Sequence, residues 1–65
     1  MNNITITMTL TPEQQTALYD ALLSRAEVLE TNVPGSDRSS AMNDVAVCLI
    51  EQMDYPVPMW MTEAV

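Results

Sequence analysis

Residues 3–15 read NITITMTLTPEQQ, and the two halves of this stretch follow different periods. In the first half Ile4, Ile6, Met8 and Leu10 alternate with Thr5, Thr7 and Thr9, the period-2 pattern of a half-buried strand. In the second, Thr11 is suited to cap a helix, Pro12 suits the first helical position, and Gln14 completes a capping box of the form T-x-x-Q. The stretch therefore predicts a strand over 3–10 that passes directly into a helix. A lone strand leaves a row of backbone donors and acceptors unpaired, so its partner must come from elsewhere.

Working outward, Leu18, Leu22, Ala26 and Leu29, flanked by Ala17, Ala21 and Val28, form an apolar stripe at helical spacing, which predicts a first helix over 12–30. The segment Thr31–Ser36 collects turn residues around Pro34-Gly35. Ser36 or Asp37 then caps a second helix over 37–54, with Met42, Val45, Leu49 and Met53 as its stripe, widened by Ala46 and Ile50. Two amphipathic helices joined by a short turn pack as an antiparallel hairpin. Pro56 and Pro58 forbid a continuous helix beyond Tyr55, which predicts an extended tail over 55–65. That tail is one candidate partner for the strand, with the two prolines confining it to an edge. The expected fold class is mostly α, within α+β: one domain over 1–65, containing a strand, a helical hairpin and an extended tail.

At 65 residues the chain buries too small a fraction of its surface to be comfortably stable alone. Its single Cys48 forms no internal disulfide, and without His or a Cys pair there is no zinc spacing, so no metal or cofactor is expected. Oligomerisation, most simply a homodimer, is the remaining route to stability. The chain carries nine Asp and Glu against two Arg and no Lys, a formal net charge of −7. This balance opposes nucleic-acid binding, which draws on Lys and Arg to displace counterions. No stretch approaches the ~20 apolar residues of a membrane span, and the N-terminus lacks a signal-peptide pattern; a cytoplasmic location is expected.

Quoted together, ITITMTLTPEQQTALYDALLSR and SDRSSAMNDVAVCLIEQM give strand, helix, turn, helix. This order resembles the ribbon-helix-helix family of dimeric regulators. The resemblance implies that the strand, through Ile4, Ile6, Met8 and Leu10, pairs with the same strand of a second copy. It further implies that Thr5, Thr7 and Thr9 face the DNA major groove, and that Ser39 or Ser40 meets a phosphate. Against DNA binding stands a dimer charge of about −14, twice the chain's −7. In style, the short, acidic, cofactor-free chain also resembles phage-encoded inhibitors, including anti-CRISPR and other anti-defence proteins.

The acidic residues recur in register. Glu13, Asp20 and Glu27 lie seven residues apart on the first helix, as do Asp37, Asp44 and Glu51 on the second, so each set forms a row drifting by only about 20° per step. Successive carboxylates in a row stand roughly 10 Å apart. The rows read either as solvated faces opposite the core or as a negative strip that engages a basic groove. The tail's Met59, Trp60 and Met61 read either as core completion or as an anchor docking into a partner's groove. With no His or Lys, no nucleophile beside a base, and no Gly-rich phosphate loop, catalysis is not expected. The sequence thus points to an interaction protein whose partner is a larger protein with a basic surface. A ribbon-helix-helix regulator and an antitoxin-like neutraliser of a basic toxin are the alternatives.

Overall fold

The cap at Thr11 forms in both directions. In the computed structural model, which describes residues 2–62, Thr11 Oγ1 accepts from the Gln14 amide at 3.2 Å, and Gln14 Oε1 accepts from the Thr11 amide at 2.9 Å. With two orphan donors satisfied and Pro12 pre-set for the first turn, helix α1 runs Pro12–Asn32. It buries Leu22, Ala26 and Leu29, three members of the expected stripe, while Ala17, Ala21 and Val28 remain exposed.

The connection is a tight turn in which the Ser36 amide donates to the Val33 carbonyl at 3.1 Å. Gly35 holds φ +74°, the left-handed geometry that a Pro-Gly turn requires at its third position. Ser36 then caps α2, Asp37–Gln52, by accepting from the Ser39 amide at 3.1 Å. Helix α2 ends with Asp54 left-handed at φ 60°. The Tyr55 amide there reaches back to the Ile50 carbonyl at 3.1 Å, which closes the helix in the manner of a Schellman motif. Both helices differ from the sequence expectation only at their ends: α1 extends two residues past 30, and α2 yields to a turn at 53–54.

Two of the smallest side chains lie fully buried between α1 and α2. Ala26 and Ala46 face the interior with no exposed surface, beside the fully buried Ile50, and Leu22 and Met61 complete this cluster. Burial of a side chain such as Ile50 stabilises by about 1.5–3 kcal/mol. After Tyr55 the chain doubles back, Val57 packs on the same cluster, and a four-residue helix α3, Met59–Thr62, seats Met61 in it. The hairpin therefore has a third layer, supplied by the tail.

Two expectations are corrected here. The tail is not extended throughout, because α3 forms as soon as Pro58 is passed; residues 63–65 of the expected tail lie outside the described residues. Nor does the expected strand over 3–10 form within the chain: among the described residues there is no strand, and residues 2–10 make no backbone–backbone hydrogen bond. The tail, the candidate partner within the chain, is committed to the core instead through Val57 and Met61. Ile4, Ile6 and Met8 stand 79%, 71% and 65% exposed. Only Leu10 is half-buried, its carbonyl accepting from Gln15 Nε2 at 3.1 Å.

The expected apolar stripe of α2 holds at Met42, Ala46, Leu49, Ile50 and Met53 and fails at one position. Val45 is exposed, whereas Val47, left out of the expected stripe, packs on the core. A hairpin alone would bury the face that meets α1. Here the tail covers α2 from a second direction, and the buried face widens toward Val47 and away from Val45.

Candidate functional site

Three surfaces carry the residues that could do chemistry or recognition. The first is the pair of acidic rows. Glu13, Asp20 and Glu27 on α1 and Asp37, Asp44 and Glu51 on α2 are all exposed. At about 100° per residue, each row lies roughly 140–180° around its helix from the buried Leu22 or Ala46. Because α1 and α2 turn their buried faces toward each other, the two rows point outward on separate sides. They do not merge into one strip. Among the described residues no row carboxylate forms an ion pair, and Arg25 and Arg38 are both exposed.

The second surface is the N-terminal segment. Ile6, Thr7 and Met8 run beside Asp44, Val45, Cys48, Leu49 and Gln52 of α2 and line with them a largely apolar groove of about 590 Å³. Ile4, Ile6, Met8 and Val45 are all exposed here. Of the expected dimer residues, Ile6 and Met8 are thus brought together with Val45 and Leu49, Ile4 stands exposed, and Leu10 is half-buried beside Leu18 and Met53.

The third surface surrounds Trp60. The Met59-Trp60-Met61 motif divides: Met61 is 7% exposed and belongs to the core, Met59 projects into solvent, and Trp60 is 39% exposed. Trp60 borders a hollow of about 530 Å³ lined by Glu30, Pro34, Gly35, Ser39, Ser40 and Asn43. Glu30 stands near the end of α1 and Ser39 near the start of α2. Ser39, 1% exposed, donates from Oγ to Glu30 Oε2 at 2.9 Å and so ties the two helices together across their turn. Asn43 contributes an unusual atom: its Oδ1 is buried with no hydrogen-bond partner.

Sequence reasoning missed Glu30, Ser39 and Asn43 as a group. A signal was present, since Ser39 and Asn43 lie one turn apart on the same side of α2 as Ala46 and Ile50, where an apolar residue is the ordinary choice. Among the described residues no group of three or more His, Cys, Asp or Glu is placed to hold a metal ion, and no helix is long and apolar enough to cross a membrane. Comparison with protein-family models, with curated proteins and with solved structures finds no match to this chain.

Proposed function

We propose that this chain is a small acidic interaction module that docks on the basic surface of a larger protein, and that two copies join through residues 2–10. The observation that supports it best is the state of the rows: six exposed carboxylates in two helical registers, none in an ion pair among the described residues. Such a surface attracts a basic groove through a field that the protein does nothing to cancel. Occupancy would then be inhibition. A groove that normally holds nucleic acid, once covered by an acidic protein, no longer takes up its ligand. That mode would serve a phage-encoded inhibitor of the kind whose style the sequence resembles, and an antitoxin-like neutraliser of a basic toxin would use the same surface.

The pairing of two copies rests on the N-terminal alternation. Ile4, Ile6 and Met8 are exposed in the single chain, and the backbone around them is unpaired. An antiparallel ribbon between two copies would satisfy that backbone and cover those side chains together. The same exposed segment ahead of two helices favours a second reading, the ribbon-helix-helix regulator, against which the charge of −7 per chain argues.

Retention from a host lysate by wild type and by variants with lysine at Asp20 and Glu27, or at Asp44 and Glu51, tests the proposal. A protein held by wild type at low salt, released at high salt and lost by one of the two variants is the expected result. Salt-sensitive binding to duplex DNA with no such protein partner would replace this reading with the regulator.

A further inference from the structure

We infer that the hollow beneath Trp60 is a guanidinium-binding site that receives an arginine side chain of the basic partner. The inference rests on the reading of the chain as an acidic interaction module and names the contact through which it discriminates.

The walls of the hollow define what it accepts. Glu30 contributes a carboxylate whose Oε2 is held by the Ser39 hydroxyl, which orients the group and leaves Oε1 without a protein partner among the described residues. Asn43 contributes an acceptor, Oδ1, that is enclosed and lacks a donor, a state that costs free energy until a donor arrives. Trp60 contributes the indole. No Lys or Arg lines the space, so an anion finds no counter-charge. The amides at the start of α2 offer little substitute, since Ser36 Oγ already accepts from the Ser39 amide.

A carboxylate oxygen, an orphaned amide oxygen and an aromatic ring together ask for a cation that is rich in donors and flat enough to stack. Guanidinium has five N–H donors in a plane and stacks on indole, whereas an ammonium is a compact, strongly hydrated point charge. Cation–π contact with tryptophan adds to the attraction. The volume of about 530 Å³ leaves room for the arginine stem as well as its head. Because Asn43 Oδ1 is enclosed in the free protein, the guanidinium reaches it only after a side chain bordering the hollow shifts. Trp60, 39% exposed on a helix of only four residues, is the side chain we assign to that shift.

Trp60 is the only tryptophan, so the tryptophan emission of the protein comes from the wall of this hollow. Full-length protein is titrated with a blocked tetra-arginine peptide and, at matched charge, a blocked tetralysine peptide. The arginine peptide should give a saturable change in Trp60 emission, with tetralysine at least about fivefold weaker. Glu30→Gln, which keeps an acceptor for Ser39, should weaken the arginine peptide by about tenfold or more, and Asn43→Ala should also weaken it. Melting curves of both variants establish that they are folded. Equal affinity for the two peptides, unchanged by Glu30→Gln but lost on charge reversal at Asp20 and Glu27, would place the cation on an acidic row. That result overturns the pocket and leaves the acidic module standing. Absence of any emission change with tetra-arginine also overturns the pocket, while the module reading still stands or falls on the retention experiment.

Discussion

The Tyr19 hydroxyl donates a 2.7 Å hydrogen bond to the Pro56 carbonyl, joining α1 to the tail across 37 residues of chain. Its ring also meets the Tyr55 ring edge-on, with centroids 4.9 Å apart at 64°. These two contacts hold the tail where Val57 and Met61 can enter the core. Tyr19→Phe keeps the ring contact and removes the hydrogen bond, at a cost of about 1 kcal/mol, and Tyr19→Ala removes both and should cost about 3 kcal/mol or more. For a domain of this size the milder change should lower Tm by several degrees, on the order of 4–8 °C per kcal/mol. Trp60 emission should shift to the red as the tail loosens. A melt unaltered by Tyr19→Ala would mean that the tail contributes nothing to the fold.

What could be read from the sequence was local. Thr11, Pro12 and Gln14 act within one turn, and Pro34-Gly35 acts within four residues, so short-range chemistry placed both helix starts correctly. The α1 stripe was legible for the same reason. Val45 and Val47 exchanged roles because their burial depends on where the tail goes, and that depends on Tyr19 meeting residues 55 and 56. Met61 and Trp60 are neighbours with opposite fates, which a motif reading that treats them together does not separate. The mutual direction of the acidic rows is likewise a property of helix packing and not of either helix alone. Ser39 and Asn43 were visible as polar residues on an apolar face, yet their common neighbour Glu30 lies across the turn.

Asp54 pays a local penalty that glycine would not. It holds φ 60°, where a residue with a Cβ is disfavoured, and it places a negative charge at the negative end of the α2 dipole. Asp54→Gly should stabilise by about 0.5–1 kcal/mol, read as a rise in Tm, after allowing for the added freedom of the unfolded chain. A fall in Tm would show that the Asp54 side chain has a role that this end of α2 does not reveal.

Ile6 and Thr7 distinguish a single chain from a ribbon. Ile6 is 71% exposed in the single chain, so Ile6→Asp should leave the stability of a monomer nearly unchanged. Between two paired copies the same change buries a charge and should cost several kcal/mol, with Thr7→Asp far better tolerated. Light scattering at micromolar concentration gives the size, and melts at several protein concentrations give the stability. Wild type should run as a dimer with a concentration-dependent Tm, and Ile6→Asp as a monomer. If wild type scatters as a folded monomer, residues 2–10 do not form an intermolecular ribbon.

The separation of the acidic rows makes their test sharper than a comparison of all six charges at once. A single partner groove meets one side of the hairpin, so lysine at Asp20 and Glu27 should slow association and flatten its salt dependence by an amount different from lysine at Asp44 and Glu51. Folding should survive both pairs of changes, because all four side chains are exposed and the chain's net charge moves toward zero. Trp60→Ala should act differently, accelerating dissociation by an amount worth about 2 kcal/mol or more, the usual scale of an aromatic anchor. It must be read beside a melting curve, since part of the indole packs on the protein. Equal slowing from both row variants would require a partner that wraps the hairpin, or two copies of the chain presenting opposite faces to it. Unchanged rates and salt response in both would reduce the rows to solvated faces and leave recognition to Trp60 and the hollow beneath it.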